Sequence, residues 1–299
     1  MQWSIDSISD LNNKTILITG ANSGIGFEAA KVLAAKGAHV ILACRNPSKG
    51  QAAIDAIKRD HAGAQLTLMS LDLSSLQSVR DFCAAVAARV DHLDVLVNNA
   101  GVMAPPYSKT ADGFESQFGT NHLGHFALTA LLLPLLEKAE AGRVVVVSSV
   151  AHRLGNIRFH DLNWEKRYSR WQAYGQSKLA NLMFAKELQR RLQQRGSKVI
   201  AVAVHPGYSN TNLQQYMPGS QLLNSIFSQS QSAGALPTLC AVTQPGLSGG
   251  EYIGPNGFLE MQGKPDLAYS TRRSNDTAIA QRLWDVSEQM TGESFLSAA

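Results

Sequence analysis

The chain has 299 residues, 44% of them hydrophobic and 17% charged, and 27 basic against 23 acidic side chains leave a formal charge of +4. That length suits one large α/β domain or two small ones, with core enough to fold without staples. The charge excess is scattered, with no Lys/Arg run to bind nucleic acid. Cys44, Cys83 and Cys240 lie too far apart for a disulfide framework or a zinc site, and no uninterrupted run of about 18 apolar residues could span a membrane. The polar stretch 1–13 lacks the apolar segment of a signal peptide, and with the cysteine usage it points to a cytoplasmic protein.

Apolar runs and helical patterns alternate from the start. A strand over 14–19 leads into a helix over 24–36 that Gly37 caps. A strand over 38–44 passes through Arg45-Asn46-Pro47 into a helix from 47 to about 61. A third strand, 66–71, ends in Asp72-Leu73-Ser74, and Ser74 or Ser75 can cap a helix to about 90. A fourth, 93–97, ends in Asn98-Asn99-Ala100-Gly101 and precedes a long helical region from about 112 through 136. A valine-rich strand over 143–148, a long helix over 171–195 and a strand over 199–204, stopped by His205-Pro206-Gly207, complete the alternation. Buried strands alternating with helices mean parallel βαβ units, and right-handed crossovers put helices on both faces. The expectation is one doubly wound parallel α/β domain over 1–299. Beyond Gly207 the pattern weakens. Residues 208–245 read as a mobile substrate lid with one or two short helices, 251–254 as a last short strand, and 275–290 as a final helix with Ile279, Leu283, Trp284 and Val286 at helical spacing.

Two stretches carry chemistry. Thr19-Gly20-Ala21-Asn22-Ser23-Gly24-Ile25-Gly26 joins the first strand to the first helix. Its glycines let the backbone approach a ligand closely, and the helix start offers free N–H groups and a positive dipole end to a phosphate. Ligands in open parallel sheets sit beyond the carboxyl ends of the strands, where Arg45, Asp72, Asn98, Ser149 and Pro206-Gly207 also stand. The second stretch is Tyr174-Gly175-Gln176-Ser177-Lys178, whose Tyr174 and Lys178 share one helix face. An ammonium beside a phenol stabilises the phenolate, so Lys178 is expected to lower the Tyr174 pKa and make it a general acid/base.

Thr19-Gly20-x-x-x-Gly24-Ile25-Gly26, Asn98-Asn99-Ala100-Gly101, Asn121, Ser149, Tyr174-x-x-x-Lys178 and Pro206-Gly207-x-x-x-Thr211 occur in the order of the short-chain dehydrogenase/reductase superfamily, which the chain resembles over nearly its whole length. Ala43-Cys44-Arg45, the run from Phe118 to Phe126, Ser148-Ser149-Val150-Ala151-His152 and the run from Tyr174 to Asn181 resemble its retinol dehydrogenase-like branch. The resemblance implies a Rossmann-like fold and an oxidoreductase that interconverts an alcohol and a carbonyl. Tyr174 would exchange the proton, Lys178 would bind the nicotinamide ribose, Ser149 would bond the substrate oxygen, and Asn121 would hold a water on the proton path. A dinucleotide would lie along Gly20, Asn22, Ser23, Gly24, Ile25 and Gly26, then Arg45, Asp72 and Leu73, then Asn98, Ala100 and Gly101. Tyr174, Lys178, Pro206, Gly207 and Thr211 would complete its binding site. The gap from Ser149 to Tyr174 is longer than in the shortest members, and Ser209 stands where many relatives carry an apolar residue.

NAD enzymes place a carboxylate after the second strand for the ribose 2′-hydroxyl, whereas this strand ends in Cys44-Arg45. A guanidinium suits a 2′-phosphate, so NADP(H) is expected over NAD(H). Tyr208, Leu213, Tyr216, Met217, Leu222, Leu223, Ile226 and Phe227, with Phe159, Trp164, Tyr168 and Trp171, make an apolar wall for a lipophilic alcohol, aldehyde or ketone. Retinoid members of the branch often carry an apolar N-terminal anchor, and a chain without one is expected to be a soluble relative with another substrate. A homo-oligomer is left open. His122 and His125, three apart, lack further ligands for a metal, and the Gly246-x-Ser248-x-Gly250 pattern has no later histidine to make a hydrolase. A non-catalytic dinucleotide-binding regulator would not need Ser149, Tyr174 and Lys178. A sugar-nucleotide epimerase would need a larger C-terminal domain.

Overall fold

The computed structural model describes residues 1–208 and 230–296. Eight strands form one sheet: β1 (Thr15–Thr19), β2 (His39–Cys44), β3 (Leu66–Ser70), β4 (Val95–Asn98), β5 (Arg143–Val147), β6 (Ile200–Val204), β7 (Tyr252–Pro255) and β8 (Pro265–Leu267), in the order β3-β2-β1-β4-β5-β6-β7-β8. All neighbours are parallel except β7 and β8. The chain builds outward from β1 to β3, then crosses back to place β4 on the other side of β1. That reversal opens a crevice at the carboxyl ends of β1 and β4.

Alternate residues of each central strand feed opposite faces. Leu17, Leu96, Val144 and Val146 pack with α3 (Leu76–Ala87), α5 (Gly124–Glu137) and α6 (Arg170–Gln194); Ile16, Ile18, Val97, Val145 and Val202 pack with α1 (Gly24–Ala35), α2 (Pro47–Asp60) and α7 (Gln231–Thr243). The valine run of β5 is thus buried on both sides, as a central parallel strand must be. The last helix, α8 (Thr277–Thr291), is capped by Asp276 through Ile279 N–H and buries Leu283 and Trp284.

Three features depart from the sequence reading. The helix expected over 112–136 is broken: α4 (Ser116–Phe118) leads into a π-helical turn, Gly119–Leu123, before α5. Glycines sit where neighbours press closest, since a Cβ on Gly124 would collide with the Leu73 carbonyl and one on Gly119 with Thr110. Strand β8 is antiparallel and begins with a proline, so three residues at the sheet edge gave no periodic signal. Of the expected lid, 209–229 lie outside the described residues. Its later part is the regular helix α7, N-capped by Ser230 and buried through Ala235, Leu239 and Cys240, so 231–243 is a packing element of the core.

Candidate active site

The turn after β1 is made from backbone. Gly20 and Gly24 take φ of 68° and 60°, in the left-handed region that favours glycine. A Cβ on Gly26 would lie 2.5 Å from Asn99 Nδ2 and 2.7 Å from Gly20 O, so strand end and helix start close on each other. The first bond of α1 runs from Phe27 N–H to Ser23 O, and the Ser23 side chain makes no cap. The N–H groups of Gly24, Ile25 and Gly26 therefore have no partner within the helix and stand at its positive end, where a negative charge is stabilised. A dinucleotide pyrophosphate fits that donor set. Asn22 and Ser23 border it, half-buried.

On one side of the turn, at the end of β2, Arg45 is exposed and has no ion-pair partner among the described residues; Asn46 beside it caps α2 through Lys49 N–H at 3.0 Å. At the end of β3, Asp72 Oδ1 accepts from Ser74 N–H at 2.9 Å and Ser74 Oγ–H at 2.6 Å, while Leu73 is buried. On the other side, the two asparagines after β4 divide their work. Asn98 is fully buried and donates from Nδ2 to Thr129 Oγ at 2.9 Å, whereas Asn99 Nδ2 buttresses the turn at Thr19 O, 2.7 Å away. Gly101 matters for what it leaves open: a Cβ there would stand 3.1 Å from Asn121 Oδ1 and 3.6 Å from Lys178 Nζ.

Ser149 follows β5 as the N-cap of the short helix Val150–Leu154. Its Oγ accepts from Ala151 N–H at 3.2 Å, and its carbonyl takes His152 Nδ1–H at 2.7 Å. Helix α6 carries Tyr174 and Lys178 on one face. Tyr174 is only 7% exposed, and the Ser149 side chain lies close enough to its hydroxyl to act on its titration. Lys178 Nζ donates to Val147 O at 3.1 Å and stands 5.8 Å from the Tyr174 ring centre. Asn121 sits in the π-helical turn; its Nδ2 donates to Ser177 Oγ and Val102 O, both at 3.0 Å, and its Oδ1 accepts Val102 N–H at 2.8 Å. A π-turn is a frequent companion of functional sites because it re-aims one side chain without ending the helix. Ser149, Tyr174, Lys178 and Asn121 thus come together as the sequence reading expected.

The electrostatics run against one expectation. Burial pushes the Tyr174 hydroxyl up to about 12, with only the Ser149 hydrogen bond pulling the other way. Burial likewise brings Lys178 down to about 8. The ammonium is turned to the Val147 carbonyl rather than the phenol oxygen, so desolvation outweighs any help it gives the phenolate. Pro206 and Gly207 lie at the end of β6, where Gly207 has φ of 68° and Tyr208 N–H bonds Met261 O at 2.9 Å; Thr211 is outside the described residues.

Several residues that shape this centre carried no assigned role in the sequence. Thr19 Oγ accepts the N–H groups of Asn99 and Ala100, each at 2.9 Å. Ser177 Oγ takes Asn121 and donates to Tyr174 O at 2.8 Å. Gln117 ties the loop after β4 to the start of α6, accepting Ala104 N–H and donating to Tyr168 Oη and Arg170 O. His122 and His125 are both buried. His122 Nε2 meets Ser287 Oγ at 2.8 Å, and His125 lies between Asn121 and Thr19, which the four-residue spacing of Asn121 and His125 could have signalled.

Comparison with known proteins places the arrangement. The family profile described as short chain dehydrogenase matches residues 14–221. Human retinol dehydrogenase 11 is 44% identical over 290 residues, covering 96% of this chain and 88% of that protein; mouse retinol dehydrogenase 14 is 40% identical over 301 residues, covering 94% and 87%. Among solved structures, a protein from Mycobacterium paratuberculosis superposes with a TM-score of 0.84 at 46% identity, covering 99% of each chain. A short chain dehydrogenase from Shigella flexneri, complexed with NADP, superposes with a TM-score of 0.67 at 26% identity, covering 82% of this chain and 98% of that one. Among the described residues no helix is long and apolar enough to cross a membrane. With its mostly parallel sheet, glycine turn and assembled Ser149, Tyr174, Lys178 and Asn121, the chain belongs to the short-chain dehydrogenase/reductase family, in the retinol dehydrogenase-like branch, and is an alcohol/carbonyl oxidoreductase.

Proposed function

We propose that the chain is an NADP(H)-dependent, cytoplasmic enzyme that reduces lipophilic carbonyl compounds, with Tyr174 as the proton donor. The observation that carries this reading is the contact of a buried, protonated Tyr174 with Ser149 beside the space that Gly101 leaves open. The turn Gly20–Gly26 and the start of α1 would hold the pyrophosphate, Arg45 the 2′-phosphate, and Lys178 the nicotinamide ribose. When bound, the cofactor would supply the hydride.

Ser149 Oγ–H donates to the carbonyl oxygen and fixes its place against the Tyr174 hydroxyl. As the oxygen gains charge, Tyr174 hands over its proton; a phenol held near 12 stays protonated across the working pH range, which suits reduction. Asn121 and Ser177 lie behind Tyr174 on the path by which the proton is replaced. The exposed Arg45, with no acid beside it, supports NADP(H), as does the relative complexed with NADP. The retinol dehydrogenase relatives support an apolar substrate.

The test is loss of NADPH absorbance with all-trans-retinal, nonanal and benzaldehyde, against NADH at the same concentration. Turnover with NADPH, faster for retinal and nonanal than for benzaldehyde, is the expected result. Failure of all three aldehydes, or equal use of NADH, would contradict the reading.

A further inference from the structure

We propose that His125 is a positioning residue, a neutral clamp that holds the proton-path asparagine, Asn121, at a fixed place relative to the cofactor turn. The proposal rests on the reductase reading for its kinetic consequence, but its structural basis is independent of substrate.

The donors and acceptors around one imidazole fix its protonation. His125 is 1% exposed and lies on α5, just past the π-helical turn that carries Asn121. Its Nδ1 is 3.0 Å from Asn121 O. A carbonyl can only accept, so Nδ1 carries a proton. Its Nε2 is 2.9 Å from Thr19 Oγ. That oxygen already accepts the N–H groups of Asn99 and Ala100, which uses both of its lone pairs. The hydroxyl proton therefore points outward, either to Nε2 or to the Val97 carbonyl 3.3 Å away. The nitrogen is the nearer acceptor, and a neutral Nδ1–H imidazole has a lone pair there that nothing else fills. Every polar atom is satisfied by one assignment: Asn99 and Ala100 N–H to Thr19 Oγ, Thr19 O–H to His125 Nε2, His125 Nδ1–H to Asn121 O.

The alternative protonation states fail on the same accounting. An Nε2–H imidazole would set a lone pair against the Asn121 carbonyl. An imidazolium would crowd a third donor onto Thr19 Oγ, in a buried place where Lys178 from α6 and His122 from the π-turn are close enough to act on its charge. Burial in fact brings His125 down to about 4, with Lys178 acting in the same direction and the Asn121 hydrogen bond opposing. The backbone of the same residue is fixed too: Thr129 Oγ–H donates to His125 O at 2.7 Å and receives Asn98 Nδ2–H at 2.9 Å. Asn98, the strand-end asparagine, therefore acts on the clamp from behind.

The functional consequence follows from where the two ends lie. One end is the strand tip that shapes the glycine turn. The other is the residue whose side chain bonds Ser177 and whose Oδ1 faces the opening at Gly101, 3.1 Å from where a Cβ would be. The imidazole adds a side-chain bond to the Asn121 carbonyl where the helix widens into a π-turn, and so ties that turn to α5. Without it the backbone at Asn121 is less firmly held, and the side chain that Val102 and Ser177 grip shifts with it, so the proton path loses its alignment.

Two measurements test this. In protein labelled with nitrogen-15 at histidine, the imidazole signal that disappears in His125→Asn should be that of a neutral ring protonated on Nδ1, the minor form in water, unchanged from pH 5.5 to 8. A ring protonated on Nε2, or one that titrates in that range, would overturn the proposal whatever the enzyme's substrate is. In turnover of nonanal with NADPH, His125→Leu should lower kcat by about tenfold, the loss expected when a buried hydrogen bond that aligns the proton path is removed, with KM for nonanal little changed. His125→Asn, whose Nδ2 stands in the place of Nδ1, should recover most of that loss, and His125→Gln, whose amide reaches only toward Thr19, should not. Equal behaviour of the Asn and Gln variants, or parallel changes in kcat and KM, would overturn the positioning role. Wild-type protein that turns over no carbonyl would sink the reductase reading alone, and the nitrogen-15 result would still decide the clamp.

Discussion

At the turn after β1 the groups offered to a ligand are backbone N–H groups at the start of α1 and, after β2, the exposed guanidinium of Arg45. Between β4, β5 and α6 they are side chains, and Tyr174, Lys178 and Asn121 are all buried. The first region can be charged at little cost because its dipoles are built into the backbone and its cation is solvated. The second holds ionisable groups out of water, and their titration moves accordingly: the phenol up to about 12, the ammonium down to about 8. The difference teaches that binding and chemistry in this molecule have separate physical sources, and so should fail separately.

Three substitutions sharpen that separation. The largest effect is expected from Tyr174→Phe, which removes the proton donor and keeps the ring. Proton transfer by a positioned side chain contributes roughly 10²–10⁴-fold, and kcat should fall by about that much while the NADPH dissociation constant, read by fluorescence titration, stays put. Arg45→Ala comes next. A hydrogen bond to a charged group contributes roughly 1.5–3 kcal/mol, so NADPH should bind about ten- to a hundredfold more weakly, with NADH unchanged. Because Arg45 is exposed, added salt should shrink the wild-type preference for NADPH.

The third effect is on stability. Lys178 is buried as a cation, and replacing a buried charge by an apolar chain is often neutral or stabilising by roughly 1–4 kcal/mol. Lys178→Met should therefore unfold at higher urea than the wild type, even as it loses turnover. The pH dependence has a definite sign. The folded pKa of about 8 lies below the ordinary lysine value of 10.5, so between those values the unfolded chain holds more protons at this side chain, and the Lys178 contribution to stability should rise with pH across that window. Lys186, also brought down to about 8, and the buried cysteines, pushed up, titrate in the same window, so the Lys178 contribution is read as a difference: the urea midpoint of wild type relative to Lys178→Met should rise between pH 7.5 and 10.

The parts of the fold that were legible in the sequence are those with a strong period or a breaker. The strands from β1 to β7, the glycine turn and α6 announce themselves through valine runs, Gly20, Gly24 and the Tyr174–Lys178 spacing. The π-turn did not, because Gly119 and Gly124 are placed for tight packing against Thr110 and Leu73, contacts remote in sequence. For the same reason the sequence suggested that Lys178 would lower the Tyr174 pKa. Spacing puts the two on one face, but only the fold tells that the ammonium turns to Val147 and that burial dominates. His125 sat in plain view four residues after Asn121, yet its role depends on Thr19, which reaches it across the sheet. The apolar richness of 208–245 suggested a lid throughout, whereas the stretch from Gln231 packs on the β5–β6 face of the core.

The central claim is that the cofactor end and the catalytic centre act independently. Its most direct test is to measure kcat and the NADPH dissociation constant together in wild type, Tyr174→Phe and Arg45→Ala. The account predicts that Tyr174→Phe moves kcat alone and Arg45→Ala moves the dissociation constant alone. If either substitution shifts both quantities by comparable factors, the two regions are coupled and the account is wrong.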